Sequence, residues 1–305
     1  MFPRQWNLDQ IRAPEAWALG ALGRGTIIGV VDSGIDTAHP DLRGKIVFAP
    51  GVSCEAIEDE VGHGTHVAGI AAASTDNGRG IAGVAPAAKL MPLKDEGDRA
   101  AQIRLAVDSG ADVINMSWRS IYASPIDPLN PGLVDALEYA WDRGVVLVAA
   151  AGNDRLPNCE HPAAHARVVC VAATDKRGLP AHFSNRPVKL EGLAVSAPGG
   201  VGLGGCDMDE DVWSTMPPGS VYESCNEFPG YQPLQGTSMA APHVAGVAAL
   251  LIGAGLTNEE VVECLASTAF NPLTGTRGQF TPAYGYGIVD AAAAVESCTN
   301  SSSRP

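Results

Sequence analysis

The chain has 305 residues, 46 % of them apolar, and a net charge of −14, which supplies a sizeable core and excludes nucleic acid or an anionic membrane as the main partner. Its 35 glycines and 22 prolines fall short of a low-complexity composition and indicate tight turns and close backbone approach. With no linker-like stretch and no internal repeat, residues 1–298 are expected to form one domain followed by a polar tail over 299–305.

Taken in chain order, Met1-Phe2-Pro3-Arg4-Gln5-Trp6 lacks an apolar h-region, so the chain reads as a mature segment without its leader or as a cytoplasmic protein. A first strand over 26–31 runs into Asp32-Ser33-Gly34, which taken alone is equally a turn after a strand. His63-Gly64-Thr65-His66 opens a small-residue helix near 65–73. A strand over 89–93 passes almost directly into a helix over 99–109. The next strand, 112–117, ends in Ser117-Trp118-Arg119 and precedes a helix over 132–143. The strand over 145–150 ends in Ala150-Ala151-Gly152-Asn153, and further strands are expected over 168–172 and 193–197. Gly236-Thr237-Ser238 opens an alanine-rich helix to 252, with Pro242 expected near its first turn, and a last helix covers 258–267.

Strands that are apolar throughout are buried on both faces. The expected fold class is therefore α/β, doubly wound, with a mostly parallel central sheet and helices on both faces. In such sheets ligands gather beyond the carboxyl ends of the strands, where Asp32, Ser117 and Asn153 fall. The longest apolar run, 244–255, is too short to span a bilayer. Seven cysteines suggest the pairs Cys159–Cys170, Cys206–Cys225 and Cys264–Cys298 with Cys54 left over, the alternative being buried thiols. Nothing has zinc-site spacing.

Asp32, His63 and Ser238 offer an acid to orient, a base to take a proton and an alcohol to attack, as nucleophilic acyl transfer requires. Ser238 also begins a helix, where the positive dipole end favours developing negative charge. Asn153 supplies an amide for an oxyanion. Each residue has a duller explanation, Ser238 as a cap and Asn153 as a turn residue, but their joint occurrence in order does not. His66 and His243 are given structural roles.

Through these motifs the chain resembles the subtilisin-like serine peptidases, the subtilases, from Gln10-Ile11-Arg12-Ala13-Pro14 to Gly285-Tyr286-Gly287-Ile288-Val289-Asp290. The order Asp, His, Ser is that of subtilisin. The resemblance implies Ser238 as nucleophile, His63 as general base and then acid, and Asp32 as the residue fixing the imidazole tautomer. Asn153 and the Ser238 N–H would form the oxyanion hole. It further implies protein or peptide substrates held as an added strand along Ser117-Trp118-Arg119. There Trp118 and Arg119 replace smaller residues and recast the upstream subsites.

By the same resemblance Ala150, Gly152 and Glu160 would fall at the primary pocket, with Glu160 on its floor and Asp154 at its rim. A carboxylate there favours Arg or Lys before the cut, unless Glu160 turns to solvent beside Cys159. A structural calcium is implied at Asp41 and the loop carrying Thr75, Asn77, Arg79 and Ile81. The accompanying amino-terminal amide is not evident, because Phe2 stands at its position. Kinship also implies an inhibitory propeptide, secretion and a monomer. Open alternatives are a precursor-processing or peptide-ligating relative and a peptide-binding pseudopeptidase. Two glycosylation-type triplets begin at Asn115, on a buried strand, and at Asn300, in the tail.

Overall fold

The computed structural model describes residues 4–95, 97–118, 130–202, 207–222 and 228–299. Two short helices, α1 (Trp6–Gln10) and α2 (Ala13–Ala18), precede β1 (Ile27–Asp32) and α3 (His63–Ala72). Then follow β2 (Lys89–Lys94), α4 (Arg99–Asp108), β3 (Val113–Met116), α5 (Pro131–Trp141), β4 (Val146–Ala150), β5 (Val168–Thr174) and β6 (Ala194–Pro198). All six expected strands are present, within one residue of the expected bounds except at the end of β5, which runs two residues further. They form one parallel sheet in the order β2-β1-β3-β4-β5-β6.

Period-two alternation divides the side chains between two cores. Ile28 and Val30 of β1 with Val146 and Val148 of β4 face one side, where α3 and the long helix α6 (Thr237–Ile252) pack. Val31, Leu147 and Ala149 face the other, covered by α4 and α5. Helices on both faces make the fold doubly wound, as expected. The chain enters at β1, steps outward to β2, and crosses back to β3, so the winding reverses between β1 and β3. A crevice opens at such a reversal beyond the strand ends. β1 ends there in Asp32, and Ser117 directly follows β3.

Several elements had no periodic signal. The hairpin of β7 (Val212–Thr215) and β8 (Tyr231–Leu234) has Pro233 within a four-residue strand. The pair β9 (Phe270–Asn271) and β10 (Thr276–Arg277) is two residues per strand. The unanticipated α8 (Ala291–Cys298) follows Asp290 as cap, whereas α7 (Asn258–Thr268), which starts with a Thr257/Glu260 capping box, matches the helix expected over 258–267.

Disulfides join Cys159 to Cys170 and Cys264 to Cys298, and Cys54 is a free exposed thiol. Cys206, Cys225, Arg119 and Asn300 lie outside the described residues. Asn115 is fully buried in β3, which makes its triplet inaccessible. Among the described residues no helix is long and apolar enough to cross a membrane.

Candidate active site

Asp32 reaches the crevice because β1 ends there, and His63 because α3 begins there. Asp32 is buried, and its Oδ1 lies 2.7 Å from His63 Nδ1. An ionised carboxylate only accepts, so Nδ1 carries the proton and the Nε2 lone pair is left toward the cleft. Asp32 Oδ1 also accepts from Ser33 N at 2.8 Å, and its Oδ2 is buried without a partner among the described residues. Burial works against a charged His63. The charge and hydrogen bond of Asp32, with Asp59 adding to them, outweigh it and hold the His63 pKa above the ordinary histidine value. Close approach is built in at Gly64, where a Cβ would collide with the Gly34 carbonyl oxygen.

Ser238 is the second residue of α6 and half-buried. Its Oγ donates to the Ser117 carbonyl at 3.0 Å, while Ser117 Oγ donates back to the Ser238 carbonyl at 2.8 Å. Pro242 explains the second bond. It lies inside α6, beyond the first turn in which it was expected, and brings no N–H to the carbonyl four residues earlier. That carbonyl belongs to Ser238, and Ser117 Oγ, itself held by Asn115 Nδ2 at 2.9 Å, takes the vacant place.

Asn153 follows β4. Its Oδ1 accepts from both Thr237 N and Thr237 Oγ1 at 2.9 Å, which fixes the amide and turns Nδ2 away as the remaining donor. The N–H of Ser238, in the first turn of α6, is one of the donors that a helix leaves unpaired. His66 and His243 are fully buried and pushed down to about 3 and about 4, chiefly by burial, so both are neutral fixtures. His243 Nε2 bonds Asn7 Nδ2 and Nδ1 bonds the Met239 carbonyl, while His66 Nε2 bonds the Gln232 carbonyl.

Glu160 is half-buried. Its Oε2 accepts from Asn185 Nδ2 at 3.1 Å and packs on Gly152, where a Cβ would collide with it. Asn185, fully buried, also bonds the Ala151 carbonyl and the N–H groups of Asp154 and Leu156, so one side chain shapes the segment after β4. On the upstream side the Trp118 ring carries the Arg99 guanidinium at 4.1 Å, and Arg99 Nε is bonded to Asp95 at 2.6 Å. This stack fills space beside Ser117.

The loop implicated in cation binding gathers on Asp41, which is fully buried. Asp41 Oδ1 accepts from Asn77 Nδ2 at 2.7 Å, and Oδ2 from Ile81 N at 3.0 Å and Tyr231 Oη at 2.9 Å. All three donors are neutral, and among the described residues no ion pair reaches this carboxylate. Both carboxylate oxygens are taken by these donors, and among the described residues no cluster of three or more His, Cys, Asp or Glu side chains gathers to hold a metal, so a hard cation here would draw most of its shell from carbonyl and amide oxygens. Gln5, buried, exchanges two 2.8 Å hydrogen bonds with Ala82, beside Ile81. Thr75 and Arg79 belong to the same loop; Arg79 is exposed.

Fold and site together define a serine endopeptidase of the subtilisin type. A family model described as the Subtilase family matches residues 23–287. The chain is 37 % identical to thermitase of Thermoactinomyces vulgaris over 285 residues, covering 90 % of each. It is 37 % identical to subtilisin BL of Lederbergia lenta over 301 residues, covering 95 % of this chain and 97 % of that protein. A solved protease structure from Pseudoalteromonas arctica superposes with a TM-score of 0.78 at 32 % identity, over 97 % of this chain and 98 % of the other. The chain belongs to the subtilase family.

Proposed function

We propose that the chain hydrolyses peptide bonds through an acyl-enzyme formed on Ser238, with His63 as proton carrier and Asp32 as its orienting anion. Ser238 Oγ attacks the peptide carbonyl carbon while His63 Nε2 takes the hydroxyl proton. The carbonyl oxygen, now negative, is met by Asn153 Nδ2 and the Ser238 N–H. As the C–N bond breaks, the imidazolium returns its proton to the departing amine. Water then repeats the sequence on the ester and frees Ser238. The 2.7 Å pairing of Asp32 with His63 carries this reading, because with Nδ1 bonded to the carboxylate the ring keeps Nε2 as its proton acceptor. A serine-directed fluorophosphonate is expected to label the protein and to leave Ser238→Ala unlabelled and inactive. Labelling or hydrolysis that survives Ser238→Ala would overturn the proposal.

The primary pocket is proposed to prefer Arg or Lys before the cleaved bond, supported by the Glu160 carboxylate held against Gly152. Peptides differing only at that position test it. An advantage for Arg and Lys over Phe and Leu is expected, shrinking by about tenfold or more in Glu160→Gln. A clear preference for Phe or Leu in the native protein would reject it.

Calcium is proposed as a stabilising ion held by Asp41, Gln5, Asn77 and the carbonyls of Thr75, Arg79 and Ile81, where it would neutralise the buried carboxylate. No chemical step depends on it. Two disulfides support an oxidising, secreted setting.

A further inference from the structure

The start of α3 and the end of β1 are joined by a carboxylate that takes no part in the triad. Asp59 is buried and accepts five hydrogen bonds. Its Oδ1 takes Ser33 Oγ at 2.8 Å, Val61 N at 3.1 Å and Gly62 N at 2.8 Å. Its Oδ2 takes Thr65 N at 2.8 Å and Thr65 Oγ1 at 2.6 Å. Ser33 Oγ in turn accepts from Gly64 N at 2.9 Å. The residues so joined are the immediate neighbours of the two members of the proton-transfer pair: Ser33 beside Asp32, and Gly62 and Gly64 on either side of His63. Gly62, the residue before α3, offers no side-chain cap, so Asp59 supplies one from outside the helix.

We propose that Asp59 is a positioning residue for the proton-transfer pair, fixing the registry of Asp32 against His63 and placing a second negative charge behind the imidazole. The proposal rests on the triad reading above. Two effects are separable. The bonds through Ser33 set geometry, and an imidazole moved by an ångström loses turnover. The charge stabilises the imidazolium that forms while Ser238 attacks, in a site where water does not screen it. The other groups facing His63 leave this role to Asp59. His66, one turn along α3, is neutral. The Tyr222 phenol is pushed up by burial and by both Asp32 and Asp59, so it is uncharged. From β2, Lys94 is bonded to the Glu58 carbonyl, and Asp95, just beyond the strand, is paired with Arg99.

The test is the pH dependence of kcat/KM for native protein, Asp59→Asn, Ser33→Ala and Ser238→Ala with one peptide substrate. Asp59→Asn is expected to lower kcat by about tenfold or more with KM little changed. Its acid limb should move to lower pH by roughly half a unit or more, because a charge favouring the imidazolium is gone. Ser33→Ala keeps the charge and breaks the link, so kcat should fall while the limb stays in place. A folded Asp59→Asn whose acid limb coincides with the native one overturns the electrostatic part. Unchanged kcat in Ser33→Ala overturns the positioning part, and decides it even if Asp59→Asn does not fold. Activity surviving in Ser238→Ala would instead sink the triad reading itself.

Discussion

Asn153 shows how little of a side chain is free at this site. Thr237 occupies its carbonyl oxygen twice over, so only Nδ2 is left to meet an oxyanion. Asn153→Ala is expected to reduce kcat by about 10²–10³-fold with little change in KM, the range established for losing such a donor in a subtilisin. On the proposed mechanism His63 would set the lower edge of the working pH range. Its pKa is raised, burial being outweighed by Asp32 and Asp59, and only the neutral form accepts the serine proton. Activity should therefore rise with pH through a midpoint above the usual histidine value of about 6.5, seen as the acid limb of kcat/KM. A midpoint well below that value would show that Asp32 does not face the ring in solution. Asp32, His63, Ser238 and Asn153 were legible in sequence because each stands in a distinctive run of small or apolar residues. Asp59, Thr237, Asn185 and Gln5 were not. Their partners lie 26 to 85 positions away or across a turn, and a buried polar pair leaves no periodic trace.

Among the elements, the segment between β4 and β5 is held by an unexpected device. Lys189 Nζ is buried and donates to the carbonyls of Ala163 at 3.1 Å, His165 at 2.6 Å and Val168 at 2.5 Å. The same segment carries Glu160 and is bridged by Cys159–Cys170. Lys189→Met would strand three acceptors and should lower stability by about 2 kcal/mol or more, read as a drop in Tm. Burial pulls the Lys189 pKa down to about 7. Between that value and the unfolded value near 10.4 the unfolded chain binds more protons, so this group makes stability rise with pH across the window. The native protein should gain on Lys189→Met from pH 7 toward pH 10; a constant gap would contradict the assigned burial. The six strands were readable because they are predominantly apolar runs, with few polar residues such as Asn115 and Ser196 within them. The β7–β8 hairpin was not, since Pro233 and the long insertion between its strands hide any alternation. The Pro242 position shows the same limit from the other side. A proline inside a helix is tolerated because Ser117, remote in sequence, satisfies the carbonyl it leaves open.

For the molecule as a whole, the net charge of −14 coexists with an anion buried at Asp41. Thermal unfolding in calcium should exceed that in chelator by roughly 5–10 °C if the ion is about a hundredfold above its Kd. Identical transitions would remove calcium from the proposal. The topology that sets the crevice, with β1 between β2 and β3, explains why residues as far apart as Asp32 and Ser238 share one end of the sheet. Strand order is a long-range property that no local run of the sequence carries.

The bond from Ser238 Oγ to the Ser117 carbonyl has a kinetic corollary. A hydroxyl has a single hydrogen, and while it rests on that oxygen it is an ordinary, unactivated alcohol. Side-chain rotation takes on the order of nanoseconds, against turnover of roughly 1–10³ per second, so the resting pose enters as a population and not as a slow step. On the proposed mechanism, a peptide whose amide took the Ser117 oxygen would displace the hydroxyl and free it to turn toward His63. The arriving chain would then itself tip a fast equilibrium of the hydroxyl toward the reactive pose.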